Sequence, residues 1–511
     1  MKRSLHLLAS RLLAATLVIG AAGTTVSRAL GAPLTGDERR AARARASTLE
    51  LDVEAARATL DGVDPGDALL AVERARLSIY EGDCDSAAAV LSRPDLSQNT
   101  EGAELGVIAT GCARGSAGTL QIRNDERGVW VRLQDDEDQA LVPVLVDVAL
   151  KVRDTLTKDL GVTLPLPLRI ELVRDHFTLA AMTGLPEEAA RTTGTVAVAK
   201  WGRVFMVTPR AREHGYPWLD TLAHELTHLA LSRGTRDKAP LWLQEGVAKR
   251  EETRWREPGP FDDSPSPDAV AAMGLEKGLG LPIDKIGPSI AMLPTPEQAA
   301  VVFAEVQSFI RFFVREARDE ALPRLLVKMR DAEDVADLDK AIAAVSGTDF
   351  AAWDKRWRAW LSSSPRELPP DAMPGSRVPN IREIARRVRL GQLLGDRNHH
   401  RHAATSLGKA QALIPGESSV RCMLAASLVA AGDTAAAAPL VEKIEDVRSG
   451  FGRWWSLQGL LHPQRADLAF REALALDPLD PWVACQEKAA PEVPRDAISA
   501  AICEAARRVP R

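Results

Sequence analysis

Apolar positions along the chain pass through three successive periodicities. From about Asp37 to Gly118 they recur every three or four residues, the spacing of helices that bury one face. Within that stretch Asp67 to Tyr80, then Glu81-Gly82-Asp83, then Cys84 to Leu91 read as helix, tight turn and helix, with the glycine supplying the left-handed conformation that ends the first. The period then shortens. Residues 128–133 (GVWVRL) and 166–173 alternate as strands do, and an amphipathic helix is expected over 140–160. Thr195–Lys200 and Arg203–Thr208 flank Trp201-Gly202 and predict a β-hairpin with a two-residue turn. Helical spacing resumes at Trp218 and runs to about Leu361, broken by a loop rich in proline, glycine and aspartate from Glu257 to Asp268.

Beyond a proline- and serine-rich linker, placed at 364–380, helices return. Gly395-Asp396 recurs as Gly432-Asp433, and Ala410–Pro415 recurs as Ala473–Pro478, offsets near one and two units of a repeat of about 34 residues. Phe470–Pro478 resembles the second helix of a tetratricopeptide repeat, and Ala466 and Ala469 are small enough to let paired helices approach closely. Residues 37–118 resemble such repeats more weakly. The expected fold class is therefore α+β, mostly helical. The expected division is a signal peptide at 1–32, an N-terminal helical region at 37–120, a central domain with the sheet at 125–363, and C-terminal repeats at 381–511.

Composition narrows the class. A chain of 511 residues is too long for one core. Its 65 basic and 70 acidic residues leave a net charge of −5 with no long block of one sign, which argues against a nucleic-acid partner. Lys2 and Arg3 followed by an apolar run from Leu12 to Gly23 read as a secretory signal, cleaved near Gly23 or near Gly31-Ala32. The run is too short to span a bilayer, so no membrane span is expected after its removal. Export to a bacterial periplasm or the outside permits disulfides. Of five cysteines, Cys84–Cys112 and Cys485–Cys503 are the expected pairs, leaving Cys422.

The chemistry concentrates in Trp218-Leu-Asp-Thr-Leu-Ala-His224-Glu225-Leu-Thr-His228. Pro217 can start this helix and Gly234 can end it, with Leu219, Leu222, Leu226 and Leu229 as its buried stripe. His224 and His228 lie one turn apart on one face, where two imidazoles can bind one zinc ion, and Glu225 is placed to act as general base on water. Lys238-Ala-Pro-Leu-Trp-Leu-Gln-Glu245-Gly-Val-Ala follows after a short loop, so a second helix can return and offer Glu245 as third ligand. His399, His400 and His402 read as a solvated cluster, and Trp353, Trp357 and Trp360 as core.

HELTH followed by PLWLQEGVA resembles the gluzincin metallopeptidases, specifically the bacterial peptidase MA-like group. The resemblance covers about Gly128 to Leu361. It implies one zinc ion per chain held by His224, His228 and Glu245, with Glu225 as the base of a peptide-bond hydrolysis by metal-activated water. It also implies that an edge strand, either 195–200 or 203–208, pairs with an extended peptide or protein substrate. Gluzincins commonly add a downstream tyrosine or histidine to stabilise the oxyanion. This chain has no tyrosine after Tyr216 and no histidine from 229 to 398, and Phe303 stands where related sequences often carry tyrosine. Tyr216, His214 and Arg250 are the candidate substitutes. Three functions therefore stay open: an exported zinc peptidase, a weakly active or inactive peptidase-like scaffold that binds envelope proteins through its repeats, or a repeat protein with a purely structural zinc.

Overall fold

The computed structural model describes residues 35–508 apart from 187–194, 212–214, 260–261, 264, 288, 291–292, 319, 333–337, 364–379, 416, 443–451, 481 and 486–494. The expected signal peptide, nearly all of the expected linker, and His214 lie outside the described residues.

The chain begins with α1 (Gly36–Leu49), α2 (Val53–Leu60), α3 (Ala68–Glu81), α4 (Cys84–Leu91), α5 (Pro94–Ser97) and α6 (Thr100–Ser116). Five of these six start at a short polar residue, Thr35, Asp52, Asp67, Asp83 and Asn99, whose side-chain oxygen accepts a first-turn N–H. Each such cap is worth about 1 kcal/mol. Gly82, at φ +83°, ends α3 as the sequence predicts.

A five-stranded mixed sheet follows. It is built from β1 (Leu120–Asn124), β2 (Val129–Leu133), β3 (Leu168–Val173), β4 (Ala197–Lys200) and β5 (Arg203–Val207), in the spatial order β1-β2-β3-β5-β4. The central pairs are parallel and the two outer pairs antiparallel. Between the strands run α7 (Val142–Leu160) and α8 (His176–Thr183). The expected hairpin is present. Its Trp201 and Gly202 both have positive φ (54° and 65°), as a type I′ turn requires. Strand β1 is an addition to the sequence reading, which has helix to Gly118 and no strand before 128. Its residues are mostly exposed, so they lack the apolar alternation that marks the other strands.

Period-two alternation gives the sheet two buried faces. Val129, Val131, Leu133, Ile170, Leu172, Val204 and Met206 pack into the main core with α7. Val173, Trp201, Phe205 and Val207 pack on the opposite side against Ala75, Ile79 and Leu105 of the N-terminal helices. The N-terminal region therefore covers the back of the sheet. A charged group is buried in that seam. Arg203 is fully buried and donates to Glu171 at 2.7 Å, while Arg132 lies 3.2 Å from the same carboxylate. The other guanidinium nitrogen of Arg203 contacts both sulfurs of the Cys84–Cys112 disulfide, at 3.6 and 3.4 Å. Leaving Arg203 unpaired there would cost about 3–5 kcal/mol.

The other face carries α9 (Trp218–Thr235), α10 (Leu241–Glu251), α11 (Pro267–Glu276), α12 (Pro296–Ala317), α13 (Ala321–Asp331), α14 (Leu338–Ser346) and α15 (Phe350–Ser362). Trp353 and Trp357 are core residues, and Trp357 Nε1 donates to Ser308 Oγ at 3.0 Å. The C-terminal part comprises α16 (Ile381–Gly395), α17 (His400–Gln411), α18 (Ser418–Ala430), α19 (Thr434–Ala437), α20 (Gly452–Leu461), α21 (Ala466–Leu476) and α22 (Arg495–Arg508); α16 to α19 pack each on the next, α20 packs on α21, and α22 packs on residues 136–141. It also reaches the centre. Leu476 accepts the Tyr216 N–H at 3.0 Å, and Leu479, Ala484, Ile502 and Ala506 join the main core. Cys485–Cys503 is the second disulfide, and Cys422 is buried and joins no disulfide among the described residues. Among the described residues no helix is long and apolar enough to cross a membrane.

Glu305 of α12 is fully buried. One carboxylate oxygen accepts the Leu281 N–H at 3.0 Å, while the other meets no donor among the described residues. Burial pushes its pKa up to about 7. The folded state then holds this proton more tightly than the unfolded chain, so stability falls as pH rises from about 4.5 to about 7. Glu305→Gln should remove that dependence. The variant's stability relative to wild type should grow by up to about 3 kcal/mol across this range. Urea denaturation at pH 5 and pH 8 measures it, and a pH-independent difference would contradict the assignment.

Candidate metal centre

Helix α9 buries Leu222, Leu226 and Leu229 against the core, which fixes its rotation and turns Asp220, His224 and His228 to the other side at four-residue spacing. Its end differs from the sequence expectation. The helix runs through Gly234 to Thr235 and stops where Arg236 turns left-handed at φ 54°. Gly234 serves packing instead, since a Cβ there would lie 2.8 Å from Val162 Cγ2. Asp237 is also left-handed, and together these residues reverse the chain so that α10 returns along α9. Helix α10 is seated tightly on α12. At Gly246 a Cβ would meet Ile310 Cγ1 at 2.5 Å and the Val306 carbonyl oxygen at 2.7 Å.

This geometry brings the three expected ligands together. His224 Nε2 lies 3.1 Å from His228 Nε2, and Glu245 Oε2 lies 3.4 Å from the first and 3.6 Å from the second. A tetrahedral ion with bonds of about 2.05 Å has ligand–ligand edges of about 3.3 Å, so the triangle has the size of one tetrahedral face. Two imidazole nitrogens and a carboxylate oxygen converging this closely repel unless a cation, either a proton or a metal ion, lies among them. Nitrogen and oxygen donors in this set suit a divalent transition metal. Among the described residues this is the one group of three such side chains arranged to hold an ion, and the histidines at 399, 400 and 402 form no such group.

A carboxylate the sequence reading missed stands behind His224. Glu252, at the C-terminal end of α10, places Oε1 3.1 Å from His224 Nδ1, and Lys249 Nζ donates to the same oxygen at 2.6 Å. A carboxylate at that nitrogen fixes which ring nitrogen faces the ion and makes it a stronger donor. The signal was available: Glu252 lies two helical turns after Glu245 and shares its face. Asp220, one turn before His224, is held by Trp255 Nε1 at 3.0 Å and by Arg256 Nη2 at 2.7 Å.

The electrostatics follow from three carboxylates around two imidazoles. Burial alone would lower the His224 pKa, but Glu245 and Glu252 hold it up to about 10. Burial would raise Glu245, yet His228 and His224 keep it far below the usual carboxylate range. Glu252 is likewise held down, to about 2, by Lys249 and His224 against its desolvation. Glu225 is different. Burial raises its pKa, with the histidines and the Ala199 N–H, which its carboxylate accepts, acting in the other direction. Of the three carboxylates it is the one whose pKa is raised and not lowered, which makes it the better proton acceptor of the group.

Ala199 belongs to β4, which is the free edge of the sheet, so of the two hairpin strands this is the edge. The Val207 N–H donates to the Val196 carbonyl at 2.8 Å, which makes 196, 198 and 200 the residues bonded to β5. Ala197 and Ala199 therefore turn their backbone groups outward, towards Glu225.

The candidate oxyanion donors fare differently. The Tyr216 hydroxyl is buried and donates to the Val207 carbonyl, which ties it to the sheet. Arg250 donates to Glu251, on the side of α10 that faces Arg254 and Asp159. His214 lies outside the described residues. The Phe303 ring lies 5.7 Å from Lys249 Nζ, so it borders the site but donates nothing.

Two variants test how the centre is held. Glu252→Gln should weaken divalent-metal affinity by about 10- to 100-fold with little loss of stability, measured by competition with a chromophoric chelator. Gly246→Ala should push α10 off α12, costing roughly 1–3 kcal/mol in stability and displacing Glu245 so that metal binding weakens as well. Unchanged melting temperature and metal affinity would show that this close approach does not position the ligand.

Compared with known proteins, the chain matches no family model and no curated sequence.

Proposed function

We propose that the chain is an exported zinc peptidase of the gluzincin type, in which His224, His228 and Glu245 hold zinc and Glu225 is the general base. The observation that carries this reading is the triangle of donors with edges of 3.1, 3.4 and 3.6 Å, next to a buried carboxylate that touches an open sheet edge. Zinc bound there supplies a Lewis acid that polarises a peptide carbonyl and acidifies water. The remaining work belongs to the chain. Glu225 takes the proton of the attacking water and delivers it to the amide nitrogen as the carbon–nitrogen bond breaks, leaving a carboxylate and an amine. Glu252 and Lys249 keep His224 oriented. An extended peptide adds to β4 through the outward backbone groups of Ala197 and the outward carbonyl of Ala199, whose N–H stays with Glu225. The two disulfides and the signal-like N-terminus support an exported location, and the C-terminal helix pairs offer a surface for a protein partner.

A second reading, a peptidase-like scaffold with little turnover, is favoured by the fate of the oxyanion donors. Tyr216 and Arg250 are committed elsewhere and Phe303 cannot donate. The Glu225→Gln protein separates the readings. The expected outcome is one zinc per chain in both proteins, with hydrolysis of a mixed peptide library by wild type reduced at least about 100-fold in the variant. Equal cleavage would remove Glu225 from the mechanism. Zinc in both proteins with no cleavage by wild type would favour the scaffold.

A further inference from the structure

Lys200 is the last residue of the edge strand and adjoins Ala199, whose N–H meets the proposed base. Along β4 the side chains alternate. Ala197 and Ala199 belong to the core on the metal side, and Val198 packs with the N-terminal helices on the back. Lys200 shares the face of Val198, and its ammonium lies 5.1 Å from the centre of the Trp201 ring. Trp201 is itself buried and is braced edge-on by Tyr80, 6.1 Å away. Lys249 and Lys238 have anionic or carbonyl partners: Lys249 donates to Glu252, and Lys238 donates to the Arg330 carbonyl at 2.9 Å. Lys200 has none among the described residues, and burial lowers its pKa with no acid to offset the cost. A half-buried ammonium held over an aromatic ring at the rim of a strand edge is a place for an anion supplied from outside.

The register says which anion. When a strand adds to a sheet, the residue directly opposite a given position points to the same face, with its Cβ about 5 Å away. A peptide lying along β4 therefore sets one side chain beside Lys200. That residue is the neighbour of the one opposite Ala199, where Glu225 meets the edge. We propose that Lys200 selects peptides carrying aspartate or glutamate at this position, immediately beside the residue at which the chain is cut. The inference rests on the peptidase reading for cleavage, and on strand addition alone for binding.

The test uses the full mature protein loaded with zinc and pairs of blocked octapeptides that differ only in glutamate against glutamine at the position in question, found by mass-spectrometric sequencing of library cleavage products. Wild type should prefer the glutamate peptide by about tenfold in kcat/KM, the worth of one charge-assisted hydrogen bond. Lys200→Met should bring that ratio to about one with metal content unchanged, Lys200→Arg should keep most of it, and Lys200→Glu should move the preference to a lysine peptide. Cleavage with no acidic enrichment, or a profile that Lys200→Glu leaves unaltered, would overturn the proposal while the peptidase reading stands. Binding of the same peptides to the Glu225→Gln protein, followed by fluorescence anisotropy, answers the question without turnover. A glutamate preference lost in Glu225→Gln/Lys200→Met supports the proposal even if wild type cleaves nothing, and equal affinities for both peptides overturn it.

Discussion

Two imidazole nitrogens and a carboxylate oxygen cannot be kept within 3.6 Å of one another unless the helices that carry them are prevented from separating. Helix α9 is pinned by its leucines and by the sheet beneath it, and α10 by its contact with α12 at Gly246, where even a methyl group has no room. Much of the central domain serves this restraint. The aromatic packing of Trp242, Phe309, Phe350 and Trp357 anchors α10 to α12 and α15 at ring separations of 5.0 to 5.8 Å. At this spacing the donors repel unless a proton or a metal ion lies among them, and the packing of α9 and α10 holds them together.

The sheet performs a separate task. Its interior strands support α9, and the Ala199 N–H links its edge to Glu225. The strand, Glu225 and the triangle of His224, His228 and Glu245 are thereby fixed in one frame. A two-residue turn with both residues left-handed sets where β4 ends, and so places Lys200 relative to Ala199. The register of β4 on β5 and the rotation that aims the histidines are consequences of the same packed layer.

Those parts of the fold that depend on local periodicity were legible in the sequence. The hairpin at 195–208, the helices on either side of Gly82 and the pair of helices carrying His224, His228 and Glu245 are all where their spacing puts them. What periodicity leaves undetermined is the partner of each apolar face. Nothing in residues 37–118 says that their helices cover the back of the sheet, because amphipathicity reports that a face is buried and not against what. Strand β1 escapes notice for the converse reason, being mostly exposed with only Ile122 packed on the core. Gly234 misleads because a glycine that ends a helix and one that admits a neighbour look alike in sequence. The commitment of Tyr216 to the Val207 carbonyl and of Glu252 to His224 arises from tertiary contacts, although the spacing of Glu252 from Glu245 is a signal that could have been read.

The Arg203 seam bears on how such a chain can be inherited. A guanidinium drawn from the central sheet rests on a disulfide formed wholly within the N-terminal helices, and its carboxylate partner comes from a third element, β3. Neither side of the seam is self-sufficient: the helices without the sheet would leave Ile79 and Leu105 uncovered, and the sheet without the helices would expose Phe205, Val207 and the Arg203–Glu171 ion pair. The smallest piece that recombination could carry into another protein intact is therefore not the segment bearing the histidines but that segment together with everything from the first helix onward. Variation should accumulate in step on the two sides, with a change at Arg203 tolerated chiefly where Glu171 changes with it.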